Sequence, residues 1–140
     1  MTKKLVSTRL APGESLPVIE GFFDVTHVRN TGAAFGLMPG YRPMFIAVAL
    51  GVLVGVALYL LVARPQSGLV HVALGLVCGG SVGNLVDRVV TGRVTDFLDF
   101  KVFPVFNVAD SAIVVGVSVL VVWSVFAGGP GDGSDASSEV

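Results

Sequence analysis

The sequence has few charged residues and little cysteine or histidine. Only 14% of its 140 residues are Asp, Glu, Lys or Arg, whereas soluble domains contain about a quarter. The formal net charge of −1 provides no basic surface for phosphates, so nucleic acid is excluded as an expected partner. Cys78 is the single cysteine, which excludes an intramolecular disulfide, and together with His27 and His71 it makes a poor zinc-binding set. We therefore expect neither a metal nor a cofactor.

Long apolar runs occupy most of the chain instead. Hydrophobic residues make up 53% of the sequence, and the mean hydropathy is +0.82. Three runs, at residues 44–63, 69–86 and 111–127, are long enough to cross a hydrocarbon core of about 30 Å. They predict an all-α integral membrane bundle with three spans, forming one domain over residues 1–127. Residues 128–140 contain Gly, Ser and Asp without an apolar cluster, which predicts a disordered tail.

Small residues recur at spacings of four within the first two runs. Gly51 and Gly55 lie in the first run, and Gly75, Gly79 and Gly83 lie in the second. Such spacing is typical of faces where membrane helices pack closely. It predicts close contacts between helices and does not indicate a catalytic or binding role.

The segment before the first run has the composition of short strands and turns. Turn residues precede residues 22–28, which are rich in β-formers, so one or two strands are predicted there. Because unpaired strand edges cannot lie in lipid, we expect these strands at the aqueous surface. His27 is expected to be a surface residue of such a strand. Residues 30–36 contain small residues and are predicted to turn towards the first span.

A polar segment between the second and third runs carries the candidate chemistry. Four acids lie in it: Asp87, Asp96, Asp99 and Asp110. Carboxylates beside hydrocarbon are expensive and are usually functional. Two such groups held together share one proton, and the ionised partner can activate a water while the protonated one polarises a carbonyl. A peptide hydrolase based on Asp96 and Asp110 fits this logic.

Structural roles remain open for the same residues. Asn107 and Asp110 have the spacing of N-cap and N3, so Asp110 is equally compatible with a helix-capping role. Asp96 is compatible with a surface loop acid, and Asp87-Arg88 with an ion pair or a snorkelling group at the membrane edge.

Asn84, Ser111 and residues 79–83 have weaker or purely structural interpretations. Asn84 is compatible with a polar contact between helices. Ser111 has no histidine near it in sequence to complete a serine triad. Residues 79–83 lack the Gly-Lys-Ser/Thr ending of a phosphate-binding loop.

Three separated blocks of the chain resemble lipoprotein signal peptidases, the signal peptidase II family. The blocks are Asn-Thr-Gly-Ala-Ala-Phe at 30–35, Gly-Asn-Leu-Val-Asp-Arg at 83–88 followed by Gly-Arg-Val-Thr-Asp-Phe at 92–97, and Phe-Asn-Val-Ala-Asp-Ser at 106–111. They occur in the family's order, and the resemblance extends from about Thr2 to Trp123. This agreement is far more specific than any single block.

The resemblance implies an intramembrane aspartyl endopeptidase that removes signal peptides from bacterial prolipoproteins, cutting before the diacylglyceryl-modified cysteine. The family's catalytic pair corresponds to Asp96 and Asp110. Substrate-binding or supporting roles correspond to Asn30, Gly32, Asn84, Arg88 and Asn107. The implied partners are prolipoproteins and membrane lipids. The implied fold has four transmembrane helices and a small extracytoplasmic β-cradle, with the active site near the extracytoplasmic face of the bacterial cytoplasmic membrane.

The N-terminus departs from the family pattern. The family has a further first helix that ends in Asp-Gln-x-Thr-Lys, and Met1-Thr2-Lys3 matches only the last three positions. This pattern suggests a truncated gene model. It leaves two competing functions, an inactive membrane binding or scaffold protein and a proton or ion pathway through intramembrane acids.

The distribution of basic residues also conflicts with the family's orientation. Eight of the nine Lys and Arg residues precede the first run or lie between the second and third: Lys3, Lys4, Arg9, Arg29, Arg42, Arg88, Arg93 and Lys101. The positive-inside tendency would place this side, with its aspartates, in the cytoplasm. We expect the family's opposite orientation, since several of these arginines belong to its motifs.

Overall fold

Four helices and three strands form the part of the chain that the computed structural model describes, residues 2–32 and 41–127. In chain order they are α1 (Thr2–Arg9), β1 (Ser15–Ile19), β2 (Phe23–Asn30), α2 (Arg42–Ala63), α3 (Gly68–Thr91), β3 (Val94–Asp99) and α4 (Val108–Ala127). The predicted tail at 128–140 and most of the predicted turn at 30–36 lie outside the described residues.

The three predicted spans correspond to α2, α3 and α4, each long and apolar enough to cross a membrane. Helix α3 begins at the N-cap Ser67, whose side chain accepts a hydrogen bond from Val70 N, and it ends at Gly92 with φ of 78°. It therefore continues past the predicted end at Val86, and Asp87, expected in a loop, is helical. The cause is local, because Gly92 offers the left-handed conformation that ends a helix.

Helices α3 and α4 pack closely, and α2 contributes no buried residue. A Cβ atom at Gly116 would lie 2.6 Å from Ala73 O, and one at Gly80 would overlap Ala109 O. Gly83 lies in ordinary contact distance of Ala109. Hence the predicted glycine face is largely wrong: among the described residues, nothing lies within 4 Å of a Cβ at positions 51, 55, 75 or 79.

The sheet is antiparallel, with strand order β1-β2-β3. The predicted strand segment at residues 22–28 corresponds to β2, whereas β1 and β3 were not predicted. In β3, Val94 and Phe97 are buried, which stabilises a strand in a segment otherwise dominated by polar residues. Phe106 then bridges to Leu98, extending the edge of β3.

Helix α1 was also not predicted, and it lies against the sheet. Its Val6 side chain is buried. His27 of β2 is 1% exposed, which corrects the expected surface position. Its Nδ1 lies 2.8 Å from Leu10 O, just after α1. His27 is therefore buried because it connects the end of α1 to the sheet.

Candidate functional site

The backbone on both sides of Asp96 in β3 is fixed by hydrogen bonds that Thr95 and Phe97 make to other parts of the chain. Thr95 N donates to Asp87 Oδ2 at 3.2 Å, and Phe97 N donates to Phe106 O at 2.9 Å. The Asp96 side chain is only 2% exposed. It is consequently a buried carboxyl on a fixed strand and not a surface loop acid.

Two side-chain amides donate to the Asp96 carboxylate. Asn107 Nδ2 lies 2.6 Å from Oδ1, and Asn30 Nδ2 lies 2.9 Å from Oδ2. Burial raises the pKa of Asp96 above its ordinary value, and the charge of Asp110 raises it further. The hydrogen bonds from the two side-chain amides and the charge of Lys3 lower it. Desolvation prevails, which favours the protonated form of this carboxyl.

Asp110 occupies the first turn of α4 and forms the capping arrangement predicted with Asn107. Asn107 Oδ1 accepts from Ala109 N at 2.8 Å and from Asp110 N at 3.3 Å. In return, Asp110 Oδ2 accepts from Asn107 N at 3.0 Å. The capping prediction is confirmed, and the cap residue is the same one that binds Asp96.

Asn84 of α3 connects α1, α3 and α4 to this cluster. Its Nδ2 donates to Asp110 Oδ1 at 2.7 Å. Its Oδ1 accepts from Lys3 Nζ at 2.7 Å and from Asn107 Nδ2 at 3.2 Å. Asn84 therefore forms the predicted polar contact between helices, and it does so through a candidate catalytic carboxylate.

Lys3 is a member of the site that sequence reasoning did not single out. Besides Asn84 it contacts Asp87, with Nζ 2.9 Å from Oδ2. This pair replaces the ion pair predicted between Asp87 and Arg88. The one signal at Lys3 was its match to the last position of the family's Asp-Gln-x-Thr-Lys motif, which did not show what Lys3 contacts because the contact depends on how α1 packs.

Arg88 lies in the same region without forming the predicted pair. Its guanidinium carbon is 4.9 Å from the centre of the Phe45 ring, a distance typical of a cation–π contact. Its Nη2 reaches Gly32 O at 3.5 Å, at the long end for a hydrogen bond. Within residues 2–32 and 41–127, Gly32 O is the one hydrogen-bond acceptor of Arg88, which also lines the neighbouring cavity.

A cavity of about 460 Å³ opens onto both aspartates. Its polar residues are Asn30, Gly32, Arg88, Asp96 and Asp110, and its apolar residues are Val94, Phe103, Pro104, Val105 and Phe106. All the site residues predicted from the sequence are therefore close together, with Asn84 and Asn107 behind the carboxylates. The cavity combines two acids, donors and an apolar wall, which suits a mostly apolar peptide.

Asp99 lies apart from the cluster. It accepts hydrogen bonds from Thr26 at 2.8 Å and from Lys101 Nζ at 3.1 Å. Within residues 2–32 and 41–127, no group of at least three His, Cys, Asp or Glu residues could hold a metal ion.

The family model of signal peptidase (SPase) II matches residues 1–126. The lipoprotein signal peptidase of Halothermothrix orenii is 43% identical over 123 residues, which cover 88% of this chain and 84% of that protein. The lipoprotein signal peptidase of Symbiobacterium thermophilum is 48% identical over 124 residues, which cover 86% of this chain and 82% of that protein.

Two solved structures, both described as bacterial membrane enzymes, have a similar fold. One has a TM-score of 0.85 and 31% identity, covering 99% of this chain and 85% of the other. The second has a TM-score of 0.78 and 34% identity, covering 86% of this chain and 81% of the other.

Proposed function

This chain belongs to the signal peptidase II family, and we propose that it is an intramembrane aspartyl endopeptidase acting on bacterial prolipoproteins. It removes the signal peptide by cutting before the diacylglyceryl-modified cysteine. The observation that carries this proposal is that Asp96 and Asp110 line one cavity and both bind Asn107.

One proton shared by the pair accounts for the chemistry. The raised pKa of Asp96 favours it as the protonated member, which leaves Asp110 as the general base. Asp110 takes a proton from a water molecule as that water's oxygen attacks the scissile carbonyl, while Asp96 gives its proton to the carbonyl oxygen. As the C–N bond breaks, Asp110 returns a proton to the leaving nitrogen and Asp96 recovers one from the diol.

The surroundings supply positioning and an apolar contact for the substrate. Arg88 lines the cavity, where its guanidinium can donate to peptide carbonyls, together with apolar residues that include Phe103 and Val105. Because the wall is apolar, it suits the apolar end of a signal peptide or a lipid chain. We propose that the protein resides in the bacterial cytoplasmic membrane, with the sheet and the cavity on the extracytoplasmic side.

Separate Asp96→Asn and Asp110→Asn variants test the proposal. Cleavage of a diacylglyceryl-modified prolipoprotein is measured in detergent, with Asp99→Asn as a matched control outside the cavity. Each catalytic variant should lose at least about a thousandfold in kcat, and Asp99→Asn should retain activity near the parent's. Full activity in either catalytic variant would refute the mechanism. A folded parent that does not cleave would favour the inactive membrane-binding function.

A further inference from the structure

The ammonium group of Lys3 lies one hydrogen bond behind the aspartate pair. It donates to Asn84 Oδ1 at 2.7 Å and lies 2.9 Å from Asp87 Oδ2. Its side chain is 17% exposed. The charge is therefore mostly withdrawn from water and is only weakly screened.

This contact, the shorter of the two that Asn84 Oδ1 accepts, helps to fix which way the Asn84 amide faces. An ammonium group can only donate hydrogen bonds, so the carbonyl oxygen of Asn84 must face Lys3. Its amide nitrogen then faces Asp110 Oδ1, 2.7 Å away. If Asn84 were reversed, its nitrogen would face the ammonium and its oxygen would face a carboxylate, and both contacts would be lost.

The charge of Lys3 also acts on the pair directly. The charged groups around the carboxylates are Lys3 of α1, Asp87 and Arg88 of α3, Asp96 of β3 and Asp110 of α4. The positive charge of Lys3 lowers the pKa of Asp96 and opposes the larger effect of burial. Removing this charge therefore leaves the effect of burial on the pKa of Asp96 less opposed.

We propose that Lys3 is a positioning residue for the aspartate pair, holding Asn84 in the orientation that donates to Asp110 and acting on Asp96 through its positive charge. This inference rests on the proposed peptidase function. Lys3 does not touch the cavity, so its effect should appear in the pH dependence of kcat more than in KM.

Lys3→Met and Lys3→Arg variants test this role in pH–rate profiles of prolipoprotein cleavage. Lys4→Met is the matched control, because Lys4 is the next residue and does not contact the pair. In Lys3→Met, the alkaline limb of the profile, which reports loss of the Asp96 proton, should move to higher pH by about half a unit to one unit, with kcat reduced at neutral pH because Asn84 is no longer held towards Asp110. Lys3→Arg keeps a charged donor and should keep the parent limbs, as should Lys4→Met.

The remaining outcomes separate this proposal from the peptidase function. A Lys3→Met enzyme with lower kcat and unmoved limbs would overturn the positioning role. If Lys3→Met does not fold, Lys3→Gln replaces it, as an uncharged residue that retains a donor. Failure of both to fold, beside a folded Lys3→Arg, would assign Lys3 to the fold and also overturn the proposal. Activity in Asp96→Asn would instead overturn the peptidase mechanism, whatever Lys3 does.

Discussion

Asn107 donates its side-chain amide to Asp96 at 2.6 Å. Its backbone N–H binds Asp110, and its side-chain oxygen caps α4. One fully buried residue therefore starts a helix and joins two carboxylates that lie on different elements. The two tasks use different atoms, so mutation can separate them.

Replacing Asn107 with Ser should separate capping from catalysis. Serine caps helices about as well as asparagine, but it has no amide to donate to Asp96. We expect kcat to fall about 10- to 100-fold, because Asp96 becomes charged as it gives its proton to the substrate and a hydrogen bond to a charged group contributes about 1.5–3 kcal/mol. The free energy of unfolding should fall by no more than about 2 kcal/mol. Ser67→Ala, which removes the cap of α3, is the control and should lower stability by about 1 kcal/mol at unchanged kcat.

Stability should fall with rising pH because of Asp96. Its pKa is raised in the folded state, so between the unfolded value of about 3.9 and the raised value the folded protein binds more protons. The stabilisation is complete below the unfolded pKa and is lost as the pH rises through the folded pKa. Thermal unfolding at a series of pH values should show this decline in the parent and a shallower one in Asp96→Asn.

Asp99 should show the opposite trend. Burial alone raises its pKa, but hydrogen bonds from Lys101 and Thr26 and the charge of Lys101 together lower it. Its contribution to stability is therefore present above the unfolded pKa and is lost as the pH falls through the folded pKa. In thermal unfolding, Asp99→Asn should remove part of the decline on acidification. An unchanged acid limb in this variant would contradict the assigned bonds.

Gly80→Ala should damage both packing and activity. A Cβ at position 80 would overlap Ala109 O and lie 2.7 Å from Ile113 Cγ1, so α3 and α4 must separate. We expect a loss of about 1–3 kcal/mol in unfolding free energy and a lower kcat, because Asp110 follows Ala109. Gly79→Ala, where a Cβ meets nothing within 4 Å of the described residues, should match the parent in both measurements. Equal stability of the two variants would refute the close contact.

His27→Leu should loosen α1 from the sheet. The change removes the bond to Leu10 O and leaves that carbonyl unpaired, which costs about 1–3 kcal/mol. His71→Leu is the control, because His71 Nδ1 also binds a backbone carbonyl, at 2.9 Å, but is exposed. Chemical unfolding should show a larger loss of unfolding free energy in His27→Leu than in His71→Leu. Equal losses would show that burial does not strengthen the contribution of the His27 hydrogen bond.

The predictable part of the fold is the part set by long apolar runs. The runs identified α2, α3 and α4 because hydropathy over about 20 residues is a strong signal. The strand β3 was missed because its alternation is short and includes the charged residues Asp96 and Asp99. The glycine spacing failed since spacing does not say which glycine faces a neighbour: Gly80 does, and Gly79 does not.

The sequence predicted which residues form the candidate site but not which hydrogen bonds they make. Asp96, Asp110 and their asparagines were identified from their motifs, and the structure brings them to one cavity. The predicted partner of Asp87 was wrong because Lys3, distant in sequence, binds it in place of the adjacent Arg88. Burial of His27 was missed for a similar reason, as α1 covers it. Contacts made by a short polar helix leave no periodic signal in the sequence.

The double use of Asn107 makes assembly of the active site depend on membrane insertion. Until α4 has formed its first turn, Asp110 has no fixed position relative to the rest of the chain. Until α4 then docks on α3, Asn84 cannot reach it. On the proposed mechanism the two acids act only when both contacts are made, so a chain whose α4 has not docked on α3 should be inactive as a protease.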